Sequence, residues 1–136
     1  MSVAHALSTR FEGEINLVEK NEKIADDNQS TRNSGVIHAG IYYDPKIVPK
    51  KAALCVEGNR NLYAFCERYR VAHKKVGKMV VATTHRELAY LEDTHRIARE
   101  NNVPDLKMVD SNFVKKRDPN VRCVAALFCP SSGVID

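Results

Sequence analysis

The sequence predicts an α/β or α+β fold, because strand-like and helix-like segments alternate along its 136 residues. Residues 50–70 carry apolar side chains at helical spacing, which is the longest such pattern in the chain. The apolar runs at residues 79–82 and 124–129 have the length of strands. Thr84 and Glu87 have the spacing of a capping box, which predicts the start of a second helix.

The other elements follow from shorter patterns. In chain order we expect a helix at residues 2–10, a buried strand at 15–19, a polar loop at 21–34, a strand-like run at 35–43, strands at 71–75 and 78–83 around Gly77, a helix that starts at the capping box of residues 84–87 and ends at Asn101 and Asn102, a strand at 106–109, a short helix at 111–117 and a strand at 121–129. The stripe of the long helix that we expect to be buried consists of Cys55, Gly58, Leu62, Phe65, Cys66 and Tyr69.

Composition excludes several classes of function. The formal net charge of +4 is mild and its lysines and arginines are spread out, so we expect no nucleic-acid partner. No run approaches the ~20 apolar residues that a transmembrane helix needs. The first residues lack a basic region followed by an apolar one, so a secretory signal is not expected and an intracellular protein is.

The four cysteines do not suggest a metal site or a disulfide. They show no C-x-x-C spacing and no paired histidines, so we predict no metal. Cys55 and Cys66 share the long predicted helix, where a separation of roughly 16 Å is too great for a disulfide. We therefore expect buried thiols.

The first nineteen residues have the order of the second half of a dinucleotide-binding βαβ unit. A helix, a strand and the terminal acid Glu19 are present, whereas the first strand and the G-x-G-x-x-G loop are not. The spacing from Met1 to Glu19 would place the last glycine of that loop just before Met1. We therefore expect the chain to begin directly after the phosphate-binding loop.

Four sequence segments carry a resemblance to a known family. They are RNSGVIHAGIYY at residues 32–43, ALCVEGNRNLYAFCERY at 53–69, KKVGKMVVAT at 74–83 and FCPSSGVID at 128–136. In this order they resemble the L-2-hydroxyglutarate oxidase/dehydrogenase family, which belongs to the FAD-dependent oxidoreductases of the D-amino-acid-oxidase type. The resemblance covers nearly the whole chain, and it implies FAD as the cofactor.

The resemblance also implies roles for individual residues. Glu19 corresponds to the acid that holds the adenosine ribose, and His38 to a histidine beside the isoalloxazine ring. The loop around the flavin side of FAD corresponds to Ser30, Thr31, Arg32, Asn33, Ser34 and Gly35. Histidine titrates in a useful range, so His38 is our candidate for the catalytic base. Gly35 and Gly40 are expected to let a flat ring approach the backbone closely.

Alternative interpretations remain open for several of these residues. His38 in an apolar run is also compatible with a hydrogen-bonded histidine of the core. Arg32, Tyr42 and Tyr43 are candidates for binding a substrate carboxylate, although the two tyrosines are equally compatible with packing. Lys75 and Lys78, which flank Gly77, are expected to be exposed strand ends.

The resemblance implies a division into two domains. Residues 1–75 would be a partial Rossmann-like FAD-binding domain, and residues 76–136 the beginning of a mixed-sheet substrate domain. Without the first strand and the glycine-rich loop, the pyrophosphate lacks its main amide donors. We therefore expect the isolated polypeptide to bind FAD poorly and to lack activity.

The function implied is oxidation of a 2-hydroxy acid, L-2-hydroxyglutarate to 2-oxoglutarate, by hydride transfer to the flavin. Oxygen or a quinone would accept the electrons, and the intact enzyme would be cytoplasmic, at the periphery of the inner membrane. One alternative is another FAD-dependent enzyme of the same superfamily, acting on a different hydroxy acid, glycerol 3-phosphate or an amine. A second alternative is a non-catalytic α/β interaction domain.

Overall fold

The computed structural model of the chain describes residues 2–25 and 31–136. It divides into two compact units, Met1–Ser34 and Gly35–Asp136. The described helices are α1 (Ser2–Ser8), α2 (Pro49–Tyr69), α3 (Leu88–Glu100) and α4 (Ser111–Arg117). The described strands are β1 (Val36–Ile37), β2 (His73–Lys74), β3 (Lys78–Ala82), β4 (Lys107–Asp110), β5 (Ala125–Cys129) and β6 (Gly133–Ile135). The predicted domain boundary between residues 75 and 76 stays a prediction.

The described part of the first unit contains one short helix, and the strand predicted at residues 15–19 is wrong. Residues 11–25 form neither helix nor strand. Leu17 and Val18 are 48% and 90% exposed, so this segment does not bury the apolar face that the pattern suggested. A strand is stable only when a neighbour pairs with its backbone, and the described part of this unit offers no such neighbour.

The second unit contains two three-stranded sheets, in which every described strand pair is antiparallel. The first sheet has the order β1-β6-β2 and the second β3-β5-β4. Strands β5 and β6 are separated only by residues 130–132, and they lie in different sheets. This short turn therefore fixes where the two sheets meet. The α+β fold predicted from the sequence is confirmed.

Helix α2 is confirmed almost to the residue, but its buried stripe differs from the predicted one. The helix begins with Pro49 in the first turn and ends at Arg70, which has a left-handed backbone (φ 56°). The buried positions are Ala52, Val56, Asn59 and Cys66. Phe65 and Tyr69 lie on the exposed side. The buried side has small residues because the chain of residues 38–41 packs closely against it.

The core is divided between two buried clusters. One joins the segment after β1 to α2 and the end of β5, and consists of Ala39, Ile41, Val56, Ala98, Val103 and Cys129. The other consists of Ala82, Leu91 and Leu127, and packs α3 onto the second sheet. Strand β6 was missed from the sequence, and the strands predicted at 71–75 and 121–129 are shorter than expected. Among residues 2–25 and 31–136, no helix combines the length and apolar character needed to cross a bilayer.

Glu87 forms the predicted capping interaction before α3. Its Oε2 accepts hydrogen bonds from the backbone nitrogens of Thr83 (2.6 Å) and Thr84 (3.3 Å) and from the Thr83 hydroxyl (2.9 Å). These hydrogen bonds, the Thr83 amide first, lower the pKa of Glu87 below its ordinary value of 4.5. They favour the charged carboxylate, because a carboxylate is a better acceptor than the neutral acid.

We expect Glu87→Gln to reduce the free energy of unfolding at pH 7 and to remove part of its acid dependence. Since the folded-state pKa is lowered, the carboxylate contributes stability above about pH 4.5, and this contribution is lost as the pH falls through the folded-state value. Urea unfolding of the two proteins at pH 7 and pH 3 measures the difference. A difference of equal size at both pH values would contradict the assignment.

Candidate functional site

The segment after β1 exposes the side chain of His38 while its backbone neighbours are buried. Ala39 and Ile41 are 4% and 3% exposed, whereas His38 is exposed to solvent. The interpretation of His38 as a core histidine is therefore wrong. An exposed imidazole on a packed backbone can exchange protons with a bound molecule.

His38 lies at a small pocket that two other parts of the unit complete. The pocket is lined by residues 38–43 together with Lys78 and Ser132. Its volume of about 90 Å³ is far below the roughly 300–1,000 Å³ of typical ligand sites. The described residues alone therefore do not enclose a ligand-sized cavity at this place.

Strand register explains why His38, Lys78 and Ser132 line the same pocket. Ile37 is paired with Gly133, so His38 follows β1 at the place where Ser132 precedes β6. Lys78 is the first residue of β3 and is paired with Cys129, the last residue of β5. The Gly77 nitrogen donates to the Ser132 carbonyl at 2.9 Å, which ties the start of β3 to the same turn.

Lys78 is the residue of this pocket that the sequence did not reveal. It is partly buried, so its expected place as a fully exposed strand end is wrong. Its Nζ lies 4.7 Å from the centroid of the Tyr42 ring, within the range of a cation–π contact. The only signal in the sequence was its position after Gly77, and that signal does not indicate what lies across the sheet.

Asn59 on α2 holds the backbone of His38. Its Nδ2 donates to the carbonyl of His38 at 2.9 Å and to that of Ser131 at 3.0 Å. The Tyr63 hydroxyl, one turn later on the same helix, also donates to the Ser131 carbonyl at 3.1 Å. Burial raises the pKa of Tyr63, so the phenol keeps the proton that this bond needs.

Asn101, at the end of α3, holds the other side of the same segment. Its Nδ2 donates to the carbonyls of Gly40 (2.8 Å) and Tyr43 (2.7 Å). Its Oδ1 is buried and has no hydrogen-bond partner among the described residues. The sequence placed Asn101 at a helix end, but gave no sign that its side chain binds a segment about sixty residues away.

Gly35 and Gly40 do have the positive φ values that favour glycine, but they serve packing within the protein. Their φ angles are 65° and 85°. A Cβ at Gly40 would lie 2.9 Å from Cγ2 of Val56, and one at Gly35 would lie 3.0 Å from the carbonyl of Ile135. These contacts give both glycines a role in packing, and the expected close approach of a flat ring at them stays a prediction.

The remaining predicted site residues lie in the first unit, apart from Gly35. Glu19 is partly buried and accepts a hydrogen bond from the Asn21 nitrogen at 3.1 Å. Four residues of the predicted flavin loop are exposed, namely Thr31, Arg32, Asn33 and Ser34. Ser30 lies outside the described residues. The cofactor-binding assignments of Glu19, Ser30, Thr31, Arg32, Asn33, Ser34 and Gly35 stay predictions, as does the catalytic role of His38.

The four cysteines are free thiols, of which Cys66 and Cys129 are buried as predicted, whereas Cys55 and Cys123 are only partly buried. Burial raises the pKa of Cys55, which keeps its thiol protonated and weakly reactive. Within residues 2–25 and 31–136, no group of three or more histidine, cysteine or acidic side chains is placed to hold a metal ion.

A comparison with protein families identifies the class to which this fold and site belong. The family model described as FAD dependent oxidoreductase matches residues 1–136. The chain therefore belongs to the FAD-dependent oxidoreductase family, and FAD is the cofactor of that family. The exposed His38, the cation of Lys78 and the polar Ser132 in one pocket are chemically compatible with a polar ligand beside such a cofactor.

Its curated relatives are more specific than the family. The chain is 42% identical over 107 residues to the mitochondrial L-2-hydroxyglutarate dehydrogenase of Arabidopsis thaliana, covering 79% of this chain and 22% of that protein. It is 37% identical to the human and 40% identical to the Caenorhabditis elegans protein of the same name, over 122 residues and 90% of this chain. The chain spans 26% and 28% of those two proteins, about a quarter of their length.

Two solved structures share the fold. L-α-glycerophosphate oxidase from Mycoplasma pneumoniae, reduced by dithionite and with FAD bound, superposes with a TM-score of 0.62 at 28% identity, covering 76% of this chain and 28% of that one. Glycine oxidase from Bacillus cereus superposes with a TM-score of 0.68 at 19% identity, covering 98% of this chain and 36% of that one. The second likeness shows the fold alone. The predicted family and cofactor are confirmed.

We expect Asn101→Asp to lower the free energy of unfolding by about 1–3 kcal/mol, because a carboxylate cannot donate to the carbonyls of Gly40 and Tyr43 and leaves them buried without partners. The matched control is Asn102→Asp, whose exposed side chain should change stability by less than about 0.5 kcal/mol. Urea denaturation measures both. Equal effects of the two changes would show that the bonds of Asn101 contribute little.

Gly40→Ala should also destabilise the unit, by about 1–3 kcal/mol, since it combines a positive φ with a steric overlap at Val56. The control is Gly58→Ala on α2, where an added Cβ meets nothing within 4 Å. That change should stabilise the helix by roughly 0.5–1 kcal/mol. Thermal unfolding of both variants would refute the packing role if both changes raise the melting temperature.

Proposed function

We propose that this chain contributes part of the substrate site of an FAD-dependent dehydrogenase that oxidises L-2-hydroxyglutarate to 2-oxoglutarate. The observation that carries the proposal is the exposed imidazole of His38, which shares its pocket with Lys78 and Ser132 on a backbone held by two buried asparagines. The names of the relatives that are 37–42% identical support this substrate.

In this reaction the bound FAD supplies the acceptor for the hydride that leaves C2 of the substrate. His38 takes the proton of the C2 hydroxyl on a ring nitrogen, so that the C–O bond becomes the carbonyl of 2-oxoglutarate. The proton and the hydride together account for the two hydrogens that the alcohol loses. Because Asn59 and Asn101 fix the backbone on both sides of His38, only the side-chain torsions of the base remain to be ordered.

The residues of the first unit complete the proposal on the cofactor side. Glu19 would accept hydrogen bonds from the ribose hydroxyls of the adenosine, a role for which a carboxylate is suited. The loop around the flavin side would be formed by Ser30, Thr31, Arg32, Asn33, Ser34 and Gly35. The short hydroxyl side chains among them and the backbone amides suit phosphate and ring-edge acceptors without adding bulk.

A second candidate is oxidation of glycerol 3-phosphate, since the solved structure at 28% identity is a glycerophosphate oxidase. That substrate is also an anionic alcohol, so the same base and the same cation would serve it. Another hydroxy acid, an amine substrate or a non-catalytic interaction role has no comparable support among the described residues. Membership of an oxidoreductase family favours an enzyme over the interaction role.

The electron acceptor and the compartment are separate proposals. Oxygen or a quinone would reoxidise the flavin. A cytoplasmic position at the periphery of the inner membrane was expected from the sequence, whereas the relatives are named as mitochondrial proteins. Fractionation of cells that produce the protein distinguishes these two locations.

We expect His38→Asn to slow reduction of the flavin by L-2-hydroxyglutarate by about 10²–10⁴-fold, the usual contribution of a general base. The measurement is anaerobic stopped-flow absorbance with the full-length flavoprotein that contains this stretch. The control is His85→Asn, because His85 is exposed and does not line the pocket, so the rate should be unchanged. If glycerol 3-phosphate reduces the wild-type flavin faster than L-2-hydroxyglutarate does, the second candidate function is favoured. An unchanged rate of reduction in His38→Asn would refute the role of His38 as the base.

A further inference from the structure

The pocket of His38 contains a cation that no acid of the described chain neutralises. Lys78 is partly buried, and it makes no ion pair with any described residue, its one charged contact being the face of the Tyr42 ring. Arg96, in contrast, is bound by Asp93 at 2.7 Å and Glu100 at 2.6 Å. Lys78, unlike Arg96, is therefore not neutralised by an ion pair with any described residue.

The rest of the pocket wall leaves this charge uncompensated. Residues 38–43 include no aspartate or glutamate, and the remaining contributor is Ser132. A lysine cation without an acidic partner attracts anions, and the field of a charge is screened less at a partly buried residue than in bulk water. The wall is thus chemically complementary to an anionic group on the ligand.

The position of Lys78 is also well defined for a lysine. It begins β3 in register with Cys129, and the preceding residue is bound through its nitrogen to the Ser132 carbonyl. The Tyr42 ring beneath its Nζ restricts the ammonium to the side of the pocket. Less side-chain entropy is then lost when an anion binds, which strengthens the complex.

We propose that Lys78 binds a carboxylate of the substrate and restricts the site to anionic 2-hydroxy acids. The proposal rests on the proposed function, because it places the carboxylate at Lys78 while the hydroxyl of the same molecule meets His38. Lys78 lies at the start of β3 in one sheet and His38 just after β1 in the other. A substrate held by both residues would therefore span the junction of the two sheets.

The full-length flavoprotein tests the proposal through three variants. Lys78→Met removes the charge, Lys78→Arg keeps it, and Lys75→Met removes a charge on the other side of Gly77. Lys75 is the matched control, because its Nζ lies 5.6 Å from the Tyr63 ring centroid and it does not line the His38 pocket. Glutarate serves as a dicarboxylate that cannot be oxidised, and its binding is followed by perturbation of the flavin absorbance.

We expect Lys78→Met to raise the dissociation constant of glutarate and the KM of L-2-hydroxyglutarate by about 10–100-fold, the loss expected for a charge-assisted hydrogen bond. Lys78→Arg should bind within a few-fold of the wild type, and Lys75→Met should equal it. Added salt should weaken glutarate binding more in the wild type than in Lys78→Met, since screening acts on the charge.

Several results would overturn the proposal. One is unchanged glutarate affinity in Lys78→Met that retains its flavin. Another is a lowered flavin midpoint potential at unchanged affinity, which would show that Lys78 serves the reduced flavin anion instead. If Lys78→Met loses its flavin, the test falls to Lys78→Arg, which keeps the positive charge. Weak binding of glutarate by flavin-loaded Lys78→Arg would then also contradict the proposal. If the wild type binds glutarate through Lys78 but no 2-hydroxy acid reduces the flavin, the proposed oxidation fails while the carboxylate site stands.

Discussion

The geometry of the Gly35–Asp136 unit depends on the backbone carbonyl of Ser131. This oxygen accepts hydrogen bonds from Asn59 and Tyr63, both on α2, within the three-residue turn that joins β5 to β6. Since those strands lie in different sheets, the turn sets where the first sheet ends and the second begins. Because α2 holds this turn in place, it also sets the relative positions of His38 and Lys78. These two residues belong to the ends of different sheets.

Buried amides, together with the apolar contacts of Ala39 and Ile41, hold the segment that carries His38. Asn59 and Asn101 each divide one NH₂ group between two backbone carbonyls, so three of the six residues from 38 to 43 are tied to helices through their oxygens. Each such bond adds only about 0.5–1.5 kcal/mol net, but an unmade one in a buried place costs more. Alternative conformations of this segment would leave several carbonyls unpaired, so these hydrogen bonds favour the observed conformation.

Local patterns predicted α2, α3, α4, β3 and β5 well, because hydrophobic periodicity and capping are properties of neighbouring residues. The pattern at residues 15–19 failed, because a strand also needs a partner and the described part of its unit supplies none. Strand β6 was missed for the opposite reason, and β1 covers only two residues of the strand-like run expected at 35–43. The two strands are three and two residues long, and they pair across nearly the whole unit. His38 was found through the resemblance of its segment, whereas Lys78, Asn59 and Asn101 acquire their roles only from register and packing.

The site separates the requirements of stability from those of chemistry. The backbone of His38 belongs to the packed interior, where its carbonyl is paired, while its imidazole faces solvent. The same is true of Lys78. Its backbone is paired with β5 in the second sheet, whereas its side chain lines the pocket without an acidic partner among the described residues. Because the fold holds the backbone of both residues, only their side-chain torsions remain to be ordered when a ligand binds. The uncompensated charge that folding tolerates at Lys78 then becomes a source of binding energy for an anion.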